Sequence, residues 1–369
     1  MPINSTSSPL ARCTARALTS SISFLISFSF VEYCCLLIVE LERMELRGTV
    51  LVLAMVLGLC MLPQGEAQLQ VGFYGGTCPQ AETIVREEVR KGLANDAGLA
   101  ADFVRMHFHD CFVRGCEGSI LIDSTPGNTA EKDSPINNPS LEGFDIIDNA
   151  KTRLEAACKG VVSCADIIAF AARDSVELSR GFRYEVPAGR RDGRVSLSSE
   201  TLTNLPPPTF NLAQLTQRFA SKGLTQQDMV TLSGAHTIGQ AHCTSISSRL
   251  YNFSTTASTD PSLDATYASQ LKQSCPQGST DASLVVPMDP PSPTVVDSSY
   301  YKNLLVNRGL FESDQALMSS TLTAAQVRLY STNEAAFKLR FAQAMVKMGQ
   351  IGVLTGTSGE IRLNCKVIN

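Results

Sequence analysis

The stretch RMHFHDCFVRGC, residues 105–116, brings two of the chain's four histidines together with an arginine, an aspartate and two cysteines. If it is helical, Arg105 and His109 share a face, whereas His107 points about 200° away from both. An arginine one turn away disfavours protonation of His109 and leaves a neutral base beside a permanent cation. Such a pair can move a proton from a peroxide to its leaving oxygen while the guanidinium stabilises the developing negative charge.

The spacing of these histidines excludes one kind of metal site. His107 and His109 cannot chelate one ion from a helix, unlike the i, i+4 pair of a zinc protease helix. We therefore expect His107 to be structural. The alternative for His109 is a surface histidine beside a solvated arginine, but Phe108 and the following cysteines favour a buried position.

A second histidine centre lies in LSGAHTIGQAHC, residues 232–243. His236 follows Gly234 and Ala235, and small residues let a flat ligand such as an iron porphyrin approach the backbone closely. The alternative is a histidine packed in the core. This stretch alone leaves both interpretations open.

The N-terminal region has the pattern of a leader. Residues 49–62 form an apolar run of signal-peptide length, and Gly65 and Ala67 lie where a signal peptidase requires small residues. We predict a dispensable extension over 1–43, a signal peptide over 44–67 and a mature chain over 68–369. A membrane anchor with two spans is the alternative, but the second run is short for the ~20 residues that a span needs.

Composition excludes some partners. The chain is 44% hydrophobic and 18% charged, with a formal net charge of −4. No run of Lys or Arg forms the basic face that nucleic acids or anionic lipids attract. We expect no nucleic-acid partner, no membrane association of the mature chain, and a monomer.

Cysteine usage indicates an oxidising compartment. Cleavage after Ala67 removes four of the twelve cysteines and leaves an even number, which predicts four disulfides among 105 possible connectivities. Metal-binding thiolates are the alternative, but the mature chain has no C-x-x-C pair. Asn252 in NFS is a candidate glycosylation site.

Helical periodicity dominates the mature chain. Apolar residues recur every three or four positions in 81–93, 98–111, 144–158, 163–179 and 333–351, whereas strand signals are short and few. The prolines of NLPPPTF, 204–210, form the clearest linker because they cannot continue a helix. The sequence predicts a mostly α-helical, disulfide-linked protein in two halves.

Taken together, the two histidine motifs resemble the distal and proximal signatures of the secretory plant haem peroxidases. The resemblance continues in CPQAETIVR, VSCADIIAFAARDSV, GRRDGR, NLP, SDQALM and IRLNC, and covers essentially all of 68–369. It implies a mostly α-helical haem-peroxidase fold with haem b between two halves. The distal half would span about 68–205 and the proximal half about 206–335, with a C-terminal segment returning to the distal half.

The resemblance implies an enzyme that oxidises phenolic or other small donors with hydrogen peroxide through ferryl intermediates. His236 would be the axial iron ligand, with Asp314 bonded to its other nitrogen. His109 would be the acid/base catalyst and Arg105 the cation beside it. The remaining implied site residues are Asn137, which orients His109, Glu131, the carboxylate tied to Asn137, and Pro206, whose carbonyl helps receive aromatic donors.

Two calcium sites are also implied by the resemblance. The distal ligands would be Asp110, Val113, Gly115, Glu117 and Ser119, and the proximal ligands Thr237, Asp289, Ser292, Val295 and Asp297. This mixture of carboxylate, hydroxyl and carbonyl oxygens suits a hard cation. Glu117 stands where the family usually has aspartate. We therefore expect its longer carboxylate to swing out or to bind in a different mode.

The resemblance further implies the disulfides Cys78–Cys158, Cys111–Cys116, Cys164–Cys365 and Cys243–Cys275, and secretion to the extracellular space or cell wall.

Two other functions are alternatives to a peroxidase. A catalytically silent matrix protein would be favoured by loss of Arg105, His109 or His236, and all three are present. A Ser-His-Asp hydrolase is disfavoured because the chain has no G-x-S-x-G elbow.

Overall fold

The first helices form where apolar residues recur at helical spacing. The computed structural model describes residues 68–369, so the predicted extension 1–43 and signal peptide 44–67 lie outside the described residues. Helix α1 spans Ala81–Asn95 and α2 spans Leu99–Val113. Both were predicted, and the structure extends each by two residues at its C-terminal end.

Two further helices complete the packing of the first half. Helix α3 spans Phe144–Ala157 and α4 spans Cys164–Leu178, with the Ser163 side chain capping α4 by accepting a hydrogen bond from Asp166 N. Helix α4 is buried almost all round, and it packs against α2 and α1. Helix α1 also packs on α3. The helix that carries Arg105 and His109 is thus held by the most buried helix of this half.

The rest of the described chain holds mostly shorter helices, of which the periodicity marked only the last. They are α5 Ser198–Asn204, α6 Leu212–Ala220, α7 Gln226–Ser233, α8 Ser247–Tyr251, α9 Ala265–Ser274, α10 Ser299–Leu305, α11 Glu312–Gln315, α12 Thr321–Thr332 and α13 Glu334–Met348. The predicted proline linker separates α5 from α6. Helices α12 and α13 pack on α7, and α12 also packs on α10. These contacts surround the short segment that carries His236.

Strands and 3₁₀ turns are short. Within residues 68–369 the one sheet pairs β1, Gln240–His242, antiparallel with β2, Val285–Pro287. The 3₁₀ turns are Ser119–Leu121, Glu131–Asp133, Gly234–Thr237, Cys243–Ser245 and Ala316–Met318. The predicted class, mostly α-helical with few short strands, is confirmed. None of the helices in the described part of the chain has the length and apolar character to span a bilayer.

Four disulfides cross-link residues 68–369, three across 32 to 201 positions and one across only five. The pairs are Cys78–Cys158, Cys111–Cys116, Cys164–Cys365 and Cys243–Cys275, as the resemblance implied. Residues that follow α13 pack against the first half. Cys116 N donates to Ile351 O at 2.8 Å, and Arg190 Nε donates to Gly349 O at 2.9 Å. The C-terminal segment therefore closes the turn that follows α2.

A buried carboxylate ties the start of the described chain to this core. Asp166 accepts hydrogen bonds from Tyr74 Oη, Gly189 N and Arg190 Nη1, each at 2.7 Å. Asp166 is fully buried, and Tyr74 is 4% exposed. A charged acceptor in such a place needs each of its donors.

We predict that Tyr74→Phe lowers the free energy of unfolding by about 1.5–3 kcal/mol, the usual contribution of a hydrogen bond to a charged group. Urea denaturation is the measurement. Tyr184→Phe is the matched control, because Tyr184 is also buried but donates to no side chain or carbonyl within residues 68–369. Equal losses in the two variants would contradict the role given to the Tyr74 hydroxyl.

Candidate active site

Arg105 and His109 lie side by side on α2, as their spacing predicts. Arg105 Nε donates to His109 Nε2 at 3.3 Å, and His109 is 4% exposed. His109 Nδ1 lies 2.6 Å from Asn137 Oδ1. An amide oxygen only accepts, so Nδ1 carries the hydrogen and Nε2 keeps its lone pair. The imidazole thus presents one defined basic nitrogen beside the guanidinium.

The second amide atom of Asn137 fixes this orientation. Asn137 Nδ2 donates to the main-chain carbonyl of Glu131 at 2.7 Å. The resemblance implies that the Glu131 carboxylate makes this contact. Both oxygens of that carboxylate are instead buried without a partner within the described residues. A peptide carbonyl therefore orients the asparagine.

Main-chain carbonyls also position the guanidinium. Arg105 Nη1 donates to Ser140 O at 2.7 Å, and Nη2 donates to Ile136 O at 2.7 Å. Neither residue was predicted, because a carbonyl acceptor leaves no signal in the residue type. The loop that holds Asn137 thus also holds the cation.

Burial and the neighbouring charge keep His109 neutral. Burial lowers the pKa of His109 well below its usual value, and Arg105 lowers it further, while the bond to Asn137 opposes the shift. His107 points into the core, where burial lowers its pKa to about 3 with a smaller effect of Arg190. Its Nδ1 lies 3.7 Å from Cys111 Sγ. Of the two histidines, only His109 lies beside Arg105 and Asn137.

His236 lies in the 3₁₀ turn Gly234–Thr237 and faces a carboxylate. Its Nδ1 lies 2.6 Å from Asp314 Oδ1, and the same oxygen accepts from Tyr300 Oη at 3.0 Å. Asp314 Oδ2 accepts from Phe311 N at 2.8 Å. Burial would raise the pKa of Asp314, but His236 and the other donors outweigh burial and hold it below the usual value. Asp314 therefore acts as an anionic acceptor.

This arrangement fits an iron ligand. Since Nδ1 donates to Asp314, Nε2 of His236 carries the lone pair, and the side chain is 37% exposed. The rings of Phe311 and Tyr300 stand edge-on at 5.4 and 6.0 Å, so the surroundings are aromatic. A Cβ at Gly234 would overlap Tyr301 and Phe337. The glycine therefore allows close core packing.

Four side chains beside α2, which we call the acid cluster, combine burial with unpartnered oxygens. Within the described residues, no hydrogen-bond partner meets Asp110 Oδ1, Glu117 Oε1, Ser119 Oγ or either Glu131 carboxylate oxygen. Burial raises the pKa of Asp110 to about 7 and that of Glu131 to about 8. A hard divalent cation would satisfy such oxygens.

The two predicted carbonyl ligands near the acid cluster already have one partner each. Val113 O lies 3.4 Å from Lys222 Nζ, and Gly115 O accepts from Glu117 N at 2.7 Å. A carbonyl oxygen has a second lone pair, so both can still coordinate a cation.

A second group of oxygens surrounds Thr237, next to His236. Thr237 Oγ1 lies 3.3 Å from Asp289 Oδ2 and Val295 O, and 3.4 Å from Asp297 Oδ1. Burial raises the pKa of Asp289 to about 6.

The hydroxyl of Ser299 lies within the same group and was not predicted. It contacts both carboxylates, and the Ser292 hydroxyl lies 2.7 Å from it. In residues 68–369, no three His, Cys, Asp or Glu side chains are grouped so as to hold a metal ion by themselves, so a cation at either oxygen group would also need hydroxyl and carbonyl oxygens. Two carboxylates with hydroxyl and carbonyl oxygens suit calcium better than a transition metal.

The two remaining predicted residues lie at the surface. Pro206 is half-buried between α5 and α6, and the nearby Pro208 O accepts from Ser313 N at 2.9 Å, which ties the linker to the Asp314 turn. Asn252 is exposed at the end of α8, where a glycan could be accommodated.

Comparison with known proteins identifies the fold. The family model described as "Peroxidase" matches residues 85–333. The chain belongs to the peroxidase family. It is 66% identical over 311 residues to Peroxidase 5 of Vitis vinifera, covering 84% of this chain and 94% of that protein. It is 51% identical over 318 residues to Peroxidase 1 of Zea mays, covering 84% and 86%.

Membership confirms the resemblance seen in the motifs and the haem-peroxidase fold. The protein is a peroxidase, an enzyme that carries haem and uses hydrogen peroxide to oxidise small donor substrates. The free Nε2 of His236 is suited to ligate the iron, and the Arg105–His109 pair to handle the protons of the peroxide.

We predict a change in pH dependence for Arg105→Leu. As the proposed proton acceptor, His109 must be neutral, so the rate of reaction with peroxide should fall as pH drops through the His109 pKa. Burial and Arg105 lower that pKa, so in the wild type the inflection should lie well below the usual histidine range. Loss of the guanidinium removes one of the two causes of the shift, so the inflection moves to higher pH, and the plateau rate drops.

Stopped-flow rates from acidic to neutral pH measure the effect. Arg105→Lys is the matched control, since it keeps a positive charge and should keep an acid inflection near that of the wild type. An unmoved inflection in Arg105→Leu would show that the charge does not set the His109 pKa.

We predict that Tyr300→Phe lowers the reduction potential of the haem iron. The Tyr300 hydroxyl competes with His236 for Asp314 Oδ1, so its loss strengthens the pull of the carboxylate on His236 Nδ1–H and makes the ligand more basic. Asp314→Asn should shift the potential the opposite way. Tyr301→Phe is the control, because Tyr301 Oη donates to main-chain carbonyls at Val230 and Thr231. Redox titration decides, and equal potentials for Tyr300→Phe and wild type would contradict the competition.

Proposed function

We propose that this enzyme is a secreted, monomeric peroxidase that holds haem b and two calcium ions and oxidises small aromatic donors. The observation that carries the proposal is that hydrogen bonds fix the tautomer of two histidines. His109 Nδ1 donates to Asn137, and His236 Nδ1 donates to Asp314, so each imidazole keeps a lone pair at Nε2. One lone pair serves as a base and the other as an iron ligand.

Bound haem supplies the iron that binds peroxide and provides the electrons to cleave its O–O bond. The side chains around it handle protons and charge. His109 Nε2 would take a proton from one peroxide oxygen and return it to the other, which leaves as water. Arg105 stabilises the negative charge that develops on that leaving oxygen. Asn137 keeps the basic nitrogen directed at the peroxide.

The cation proposal rests on the two oxygen groups. Asp110, Glu117 and Ser119 of the acid cluster, with Val113 O and Gly115 O, would hold one calcium ion. The group around Thr237 would hold the second, from Asp289, Ser292, Val295 and Asp297. Each group adjoins a functional histidine, since Asp110 follows His109 and Thr237 follows His236. The calcium ions would thereby hold both histidines in place.

The donor and the location of the enzyme are further parts of the proposal. Pro206 lies on the linker between the two halves, and its carbonyl is proposed to help receive aromatic donors. Four disulfides among the eight cysteines of 68–369 suit an oxidising, extracellular compartment or cell wall, and exposed Asn252 suits glycosylation. Since one chain supplies all the residues named, a monomer is sufficient.

We predict that His109→Ala and His236→Ala fail in different ways. His109→Ala should keep the Soret band of bound haem but react with peroxide about 10²- to 10⁴-fold more slowly, because it lacks the acid/base group. His236→Ala should lose or misligate the haem and change the Soret band itself. Absorption spectra and stopped-flow kinetics separate the two. A wild-type protein without a Soret band, or an unchanged rate in His109→Ala, would overturn the proposal.

A further inference from the structure

Glu117 and Gly193 come into direct contact although 76 positions separate them in the chain. Gly193 N donates to Glu117 O at 2.8 Å, so the two main chains run side by side. The Glu117 side chain does not swing out to solvent. Glu117 is 8% exposed, and its Oε1 is buried without a hydrogen-bond partner within the described residues. The longer carboxylate is therefore accommodated inside the fold.

Gly193 supplies the space that makes this possible. A Cβ at this position would overlap Cδ and both carboxylate oxygens of Glu117. The backbone does not itself demand glycine, because Gly193 is not among the residues with positive φ. Residue 193 has no side chain, and the Glu117 carboxylate occupies the space that a side chain would fill.

The segment that carries Gly193 cannot move aside easily. The preceding residue, Asp192, is fully buried and accepts hydrogen bonds from Ala165 N and Arg362 N, both at 2.9 Å. Its main chain forms a two-way bridge with Glu360, with hydrogen bonds of 2.7 and 2.9 Å. A side chain at residue 193 would therefore displace the Glu117 carboxylate rather than the backbone.

We infer that Gly193 is a positioning residue for the calcium site of the acid cluster, and that Glu117 and Gly193 form a matched pair. Glu117 would reach the cation with its carboxylate lying over the bare backbone of Gly193. Aspartate at residue 117 would be shorter by one methylene and would leave the space at residue 193 free. Only the longer carboxylate requires glycine there. The inference rests on the calcium site proposed above.

A double-mutant cycle tests the pairing in the haem-loaded enzyme. The four proteins are wild type, Gly193→Ala, Glu117→Asp and the double variant. Each is depleted of calcium with a chelator and titrated with calcium by calorimetry, and thermal unfolding is recorded with and without the ion. Binding at the second proposed site, around Thr237, serves as an internal reference.

We expect Gly193→Ala to weaken calcium binding at the acid cluster by about 10-fold or more in the wild-type background, the usual range for residues that orient a metal ligand. The same change in the Glu117→Asp background should have little effect. Gly76→Ala is the matched control, because Gly76 also lacks positive φ and a Cβ there meets nothing within 4 Å. It should bind calcium as the wild type does.

Each outcome of this experiment either supports or overturns the pairing of Glu117 with Gly193. If Gly193→Ala misfolds but the double variant folds and binds calcium, the pairing is supported. Equal effects of Gly193→Ala in the two backgrounds, or misfolding in both, would overturn the pairing and leave the calcium site intact. Absence of calcium at this site in the wild type would overturn the site and, with it, the inference.

Discussion

A buried neutral imidazole beside a permanent cation is the constraint on which this active site depends. Burial removes the water that would otherwise solvate His109 and Arg105, so their polar atoms need fixed partners. Ile136, Asn137 and Ser140 supply these partners from a single loop, largely through the carbonyl oxygens of the peptide backbone. That loop is in turn fastened to the fold, since Ser134 Oγ lies 2.6 Å from Thr201 Oγ1 on α5. Contacts with an irregular loop therefore set the positions of the Arg105 and His109 side chains, although helix α2 carries both residues.

Different faces of helix α2 contribute residues to three different parts of the structure. Successive residues turn by about 100°, so Arg105 and His109 face the loop that holds Ile136, Asn137 and Ser140, while His107 and Cys111 face the core. Asp110 turns toward the acid cluster, where its Oδ2 accepts from Gly118 N at 2.9 Å. The Arg105–His109 pair, the Cys111–Cys116 disulfide and the proposed cation site thus all include residues of one helix. A displacement of α2 would disturb all three together.

The sequence predicted whatever depended on side-chain type and short-range spacing. Helical periodicity placed α1 to α4 and α13 within a few residues, and the i, i+4 spacing placed Arg105 beside His109. Contacts made by peptide carbonyls were not predictable, which is why Ile136 and Ser140 were missed and the contact to Asn137 was assigned to the wrong atoms of Glu131. Short helices such as α8 and α11 have too few turns for periodicity to show. Contacts across long separations, such as Glu117 with Gly193, depend on the complete fold.

The return of residues 349–365 to the first half has a consequence for biosynthesis. Ile351 O, Gly349 O and Cys365 are partners of Cys116 N, Arg190 and Cys164, all of which leave the ribosome well over a hundred residues earlier. Chains grow from the N-terminus, so the first half spends most of translation without these partners. The turn between Cys111 and Glu117 cannot reach its final geometry until that late segment has emerged. The final geometry of this turn thus depends on the late segment, and a nascent chain that stalls before residue 349 carries Arg105, His109 and His236 without the contacts that close the turn.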